Sequence, residues 1–206
     1  TTGANGWYTS DGGVSWTVSD AESTVSSTDG CDASSVTQDT DGVTFTCKAT
    51  SLGGTASESV TIKRDATTPD IGYTGNDGAY TVDQTVAITC SASDAMSELA
   101  SNTCANVSGA AYTFAIGANS FSAAAQDNAG NGNTASTSFT VVVTSGSLCA
   151  LVQRWVSNAG VANSMCVKLR QGSYGAFRNE LSAQSGKKFL SAANAAILLQ
   201  LVNELD

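Results

Sequence analysis

The stretch FTVVVTSGSLCALVQRW (residues 139–155) decides the fold, because the apolar period changes inside it. Up to Val143 apolar residues sit as they do in strands, closing a run that begins at Phe139. From Leu148 the spacing becomes that of a helix. Leu148, Leu151, Val152, Trp155 and Val156 fall at i, i+3, i+4, i+7 and i+8, one stripe of an amphipathic helix. Ser147 stands where an N-cap is expected. Gly160 reads as a break. Val161, Met165 and Leu169 then form a second stripe closed by Gly172, a C′ glycine. Tyr174, Phe177 and Leu181 form a third, ended by Gly186. Ser191 opens a fourth, with Ala193, Ile197, Leu198, Leu201 and Leu205 turned inward. Four short helices in about 60 residues are marginal by themselves.

Charge changes at the same point. Residues 1–146 hold 15 acidic side chains against Lys48, Lys63 and Arg64, and residues 147–206 hold three acids against six bases. The balances are −12 and +3, which together give the formal charge of −9. A basic tail behind an acidic stretch suits long-range attraction to an acidic surface or polymer. Nucleic acid is disfavoured as a partner by the overall balance.

Only 13% of the 206 residues are charged, and no apolar run reaches the length of a membrane span. The chain begins without Met and without a signal peptide, so it is expected to be a mature protein or a piece of a longer one. The six cysteines form close pairs, Cys31/Cys47, Cys90/Cys104 and Cys149/Cys166. One pair falls in each proposed domain, which makes local disulfides the expectation. Loops of this length gain on the order of 3 kcal/mol each in the chain-entropy account. Such bridges point to an oxidising, extracellular setting. A zinc site is poorly supported, because there is no CxxC and no histidine.

The region before Gly146 repeats itself. Asn5-Gly6-Trp7-Tyr8-Thr9 answers to Asp77-Gly78-Ala79-Tyr80-Thr81, Val14 to Val86, and Trp16 to Ile88. Ser19-Asp20-Ala21 answers to Ser93-Asp94-Ala95, Ser23 to Ser97, and Phe45 to Phe121. A period near 75 residues is a tandem domain. Val14, Trp16 and Val18 alternate, as do Val43, Phe45, Cys47 and Ala49; in the second copy Val86, Ile88 and Cys90, then Phe121, Ala123 and Ala125, then Phe139, Val141 and Val143 do the same. This predicts antiparallel sandwiches. The fold class is therefore mostly β with an α module at the end: a sandwich at 1–68, a second at 69–146, and a disulfide-pinned helical domain at 147–206. Arg64 to Asp70, with the single proline at Pro69, reads as a short extended linker.

NGWYTS, SWTVSDAESTVSS, VTIKRDATTP and SAAAQDNAGN resemble the immunoglobulin-like repeats found in tandem on secreted and surface proteins of bacteria. The likeness covers residues 1–145 and implies spacers or adhesive modules. The first copy departs from it, with Ser51-Leu52-Gly53-Gly54 in place of Asp127-Asn128-Ala129-Gly130. The tail, VANSMCVKL and then RNELSAQSGKKFLSAANAAILLQLVNEL, is similar to the FIMAH domain, a helical module at the C-termini of secreted bacterial proteins. That resemblance implies no catalytic residue and places this chain near the C-terminal end of a secreted polypeptide.

The absence of histidine excludes Ser-His-Asp, Cys-His and His-metal chemistry. Bonded cysteines are no nucleophiles, and the carboxylates lie in turns with no evident cleft, so no enzyme is expected. Calcium is the better-motivated chemistry, because hard cations want clustered oxygens. Asp127, Asn128, Asn131 and Asn133 are expected to converge with Asp94 and Glu98, and Asp20 with Glu22 is the first copy's counterpart. Trp7 and Tyr8 are neighbours on opposite faces of a strand, so one of them is a candidate for stacking on a sugar. The expected role is non-catalytic: a spacer, stalk or subunit of a surface assembly, partnered by other subunits, by further copies of itself or by an envelope polymer. The alternative is a carbohydrate-binding or wall-attachment module carried by a secreted enzyme.

Overall fold

The computed structural model describes residues 1–205 and is mostly β, with four helices at the C-terminal end. The strands are β1 (Trp7–Tyr8), β2 (Gly12–Val14), β3 (Val25–Asp29), β4 (Ser34–Val36), β5 (Thr40–Ser51), β6 (Gly54–Arg64), β7 (Asp70–Thr74), β8 (Ala79–Thr81), β9 (Thr85–Ser93), β10 (Leu99–Asn102), β11 (Val107–Ala110), β12 (Gly117–Asp127) and β13 (Gly132–Val142). The helices are α1 (Ser145–Trp155), α2 (Ala159–Arg170), α3 (Tyr174–Gln184) and α4 (Ala192–Val202).

The sheets repeat as the sequence does. One four-stranded sheet runs β1-β6-β5-β3, and another runs β8-β13-β12-β10 in the same sense. In both, the first strand pairs parallel with the last strand of its repeat: Tyr8 lies opposite Arg64, and Tyr80 opposite Val141. The facing sheets are β4-β2 and β11-β9-β7. With β7 to β13 read as successive strands, this is the strand order of an immunoglobulin-type sandwich.

The chain divides into two compact units. The first holds Thr1–Gly72, Ser91–Ala105 and Ser122–Ala135. Its core is small: Val14, Val36 and Ile62, edged by half-buried Tyr8, Trp16, Phe45 and Val60. The expected alternation of Val14, Trp16 and Val18 stops early, since β2 ends at Val14 and the next two lie beyond the strand. A disulfide joins Cys31 to Cys47 on β5.

The second unit holds Tyr73–Cys90, Asn106–Phe121 and Ser136–Asp206. One continuous core runs through it. Tyr80, Val86, Ile88, Val107, Phe139 and Val141 of the strands share it with Leu148, Leu151, Met165, Leu169, Phe177 and Leu198 of the helices. Tyr112 meets Trp155 edge to face at 5.1 Å, and the Arg154 guanidinium donates to the Asp83 carbonyl at 3.0 Å. The helices therefore gain from the sandwich the burial that their length denies them. The Cys149–Cys166 disulfide ties α1 to α2, and a Lys168–Glu180 ion pair at 2.8 Å ties α2 to α3. Cys90 and Cys104 are also disulfide-bonded, and none of the described cysteines is free.

Three helical expectations shift. The N-cap of α1 is Thr144; Ser147 is its N3 partner, and the two exchange hydrogen bonds in a capping box. Gly160 lies inside α2, whose N-cap is Asn158. On α4, Ala193 is exposed, whereas Ala195 and Val202 are buried. Gly172 does close α2: its φ is +67°, its N–H donates to Leu169, and the Ser173 N–H reaches back to Lys168, the two bonds of a Schellman motif.

Candidate metal centre at the repeat junction

Arg64, Asp65, Ala66, Thr67 and Pro69 of the linker are held by hydrogen bonds to residues of the first unit. Arg64 closes β6 and forms ion pairs with Asp39 and Asp11. Asp39 also receives the Ala66 N–H at 2.9 Å and the Thr67 hydroxyl at 2.6 Å. Burial by itself would raise the Asp39 carboxyl; the donors from Thr67, Ala66 and Arg64 outweigh it and hold the carboxyl below the ordinary value. On the other side, the Asn131 side chain donates to the Asp65 carbonyl at 3.0 Å, and that of Asn133 to the Pro69 carbonyl at 2.9 Å. The chain start adds a further tie: the Ala4 N–H donates to the Ala129 carbonyl, and the Asn5 side chain to that of Asn128.

Asp65 points into the second repeat. Its carboxylate, fully buried, lies with those of Asp94 and Asp127 so that one oxygen of each falls within 4.8 Å of the others. Local turns place them. Asp94 takes the N–H groups of Met96 and Ser97 in the Ser-Asp-x-x-Ser turn. Asp127 ends β12 and takes the N–H groups of Gly130 and Asn131 plus the Asn131 side-chain amide. Asp65 takes the N–H groups of Thr67 and Ser97. Among the described residues, Asp94 Oδ2 accepts no hydrogen bond, and none of the three carboxylates forms an ion pair with Lys or Arg.

The amide donors are neutral, so they orient the carboxylates without cancelling their charge. At this spacing each pair repels by about 3 kcal/mol with an effective dielectric of roughly 20. A divalent cation removes that repulsion. The donor set fits a hard one, because it consists of oxygens alone.

The acidic cluster differs in membership from the expected set. Asp94 and Asp127 come together as expected, and Asp65 joins them. Glu98 stands outside: its side chain is exposed at φ +61°, and its contribution is a carbonyl that receives the Asn128 N–H. Asn128 and Asn131 act through their side-chain amides as donors, to the Ser97 carbonyl and to Asp127, and so brace the site. Asn133 serves Pro69. In the first repeat, Asp20 caps its own turn through the N–H groups of Glu22 and Ser23. Its carboxyl is lowered first by Ser51, then by those N–H groups and the Ser23 hydroxyl. The signal for Asp65 was present in the sequence, an acid inside a seven-residue linker just ahead of a repeat rich in Asp and Asn.

The sugar-stacking candidates lie at the edge of the first core. Trp7 is buried, with the Lys63 ammonium 5.5 Å from its ring centre, and Tyr8 is half-buried against the first core. No helix among the described residues is long and apolar enough to cross a membrane.

No family model and no curated protein matches the chain. Among solved structures, it is similar to the fibronectin(III)-like modules of CbhA from Clostridium thermocellum, at 12% identity and TM-score 0.29, over 68% of this chain and 90% of that one. A protocadherin structure, PcdhgB3 EC1-4, shares 13% identity at TM-score 0.28 over 50% of this chain and 32% of that one. The protocadherin GammaB4 extracellular domain shares 9% at TM-score 0.29, over 65% and 26%. The chain thus spans about a third and a quarter of those two protocadherin chains.

Proposed function

We propose that the chain is a non-catalytic extracellular spacer: immunoglobulin-like repeats at 1–68 and 69–146, stiffened at their junction by calcium, and a helical module at 147–206. The carrying observation is the meeting of Asp65 from the linker with Asp94 and Asp127 of the second repeat within 4.8 Å. A flexible linker needs no such site, whereas a load-bearing one gains from a cation that ties its last residues to the next module. Bonded cysteines favour an oxidising, secreted or cell-surface location. For the helical module we retain the FIMAH-like reading from its residues, with attachment to an acidic polymer as its role. Exposed Lys187 and Lys188 support that attachment. Other subunits of a surface assembly are the partners this role implies.

Calorimetric titration of the full chain with calcium tests the reading. Uptake of a single ion, lost in Asp127→Asn and retained in Glu98→Gln, is the expected result. Heat that is absent from all three, or unchanged by Asp127→Asn, would remove calcium from the account.

A further inference from the structure

α4 differs from the other helices on its outer side. α1 carries Arg154, α2 carries Lys168 and Arg170, and α3 carries Arg178 and Glu180, whereas residues 189–203, with α4 among them, hold no charged side chain. Ala192, Ala193, Ala196, Leu199 and Gln200 are nonetheless exposed, and Leu199 keeps 40% of its surface open. A helix that is apolar on nearly every side is ordinarily a covered one. Beside this face α3 and α4 leave a groove of about 180 Å³, with buried Leu181 and Ala195 as its floor and Ser182, Ser185, Ala192 and Ala196 along it.

The charges that flank the face have opposite signs at its two ends. Lys187 and Lys188 precede α4, Glu204 follows it, and all three are exposed. Arg178, the base that reaches the far end, is half-buried and donates to the Asn203 side chain. A second copy laid antiparallel along α4 meets each end with its complement, and a parallel one would set Lys against Lys. With a twofold axis at Ala196, where the small side chain admits close approach, Lys188 comes level with Glu204 of the second copy. Leu199 then comes level with Ala193 of that copy, beside its groove.

We propose that the outer face of α4 is a self-association surface, on which two copies of this chain pair antiparallel with Leu199 of each seated in the α3–α4 groove of the other. The contact uses the same patch on both copies, so it closes at a dimer. The charged ends set direction and register. An eleven-residue helix offers less than the about 1,200–2,000 Å² of a standard interface, so the dimer forms between roughly 1 μM and 1 mM. This goes beyond the spacer reading, because it joins two chains through their helical modules.

Sedimentation equilibrium of the full chain, disulfides intact, over roughly 1 μM to 1 mM tests it. Mass that rises towards a dimer and no further is expected. Leu199→Glu should weaken association at least about tenfold. Lys188→Glu or Glu204→Lys alone should weaken it about three- to tenfold, since each change acts twice in a twofold contact. An equimolar mixture of those two chains should recover it, because each presents the charge that the other lacks. A monomer throughout, growth beyond a dimer, no loss in Leu199→Glu, or no recovery in the mixture would overturn the proposal. Circular dichroism shows that the variants, all at exposed positions, keep their helices. Runs with chelator separate the dimer from calcium uptake at Asp127, so failure of one is told apart from failure of the other.

Discussion

Asp65 Oδ2 accepts the main-chain N–H of Ser97 at 3.2 Å. Asp65 ends the first repeat, and Ser97 closes a turn of the second, whose Asp94 caps the same N–H at 2.9 Å. One amide therefore serves two carboxylates from different modules. Module coupling and charge crowding are the same feature.

Calcium should stabilise the chain against heat. At a concentration one hundred times its dissociation constant the gain is about 2.7 kcal/mol. Asp65→Asn and Asp127→Asn should lose that gain while melting near the wild-type temperature without calcium, since each substitution also relieves repulsion. Scanning calorimetry with and without chelator measures both.

Asp39 gives the junction an acid limit. Its carboxyl is held below the ordinary value, so its contribution is complete above the unfolded-state pKa and is lost as pH falls through the folded one. Asp39→Asn should cost about 2 kcal/mol at neutral pH, the scale of a charged hydrogen-bond set. It should also flatten the decline in stability as pH falls below the ordinary carboxylate range. Denaturant melts across that range would show it.

Gly3 is fixed by close approach. A Cβ there would fall 2.3 Å from the Ala129 carbonyl oxygen and 2.8 Å from a Thr9 methyl. Gly3→Ala should release the Ala4–Ala129 hydrogen bond and cost about 1–3 kcal/mol, as overpacking does. Exchange at the Ala4 amide is the readout.

The disulfides should differ in weight. The first repeat's core is small, so removing Cys31–Cys47 by paired Ala substitution should cost about 2–5 kcal/mol and open the first repeat alone. Removing Cys149–Cys166 should leave the helices folded, because they share the large core. Exchange mapped by segment separates the outcomes.

Periodicity made the larger architecture legible. The switch after Val143 marks the start of α1, and the repeat alignment carries through to matching strand orders. What stayed hidden is tertiary. Thr144 displaces Ser147 as cap because a capping box needs both, one at each end. Glu98 leaves the acidic group because its backbone adopts a positive φ and turns the side chain to solvent. Asp65 joins the group only through folding, which brings a linker acid to two turns far along the chain. Trp7 was ambiguous because a two-residue strand has no alternation to assign its face.

The central claim is that calcium stiffens the junction. Distances between spin labels at Ser57 and Ser101, both exposed and one in each repeat, test it most directly. With calcium the account expects one narrow distribution that broadens on chelation and is broad at all times in Asp127→Asn. Equal widths in all three samples would contradict it.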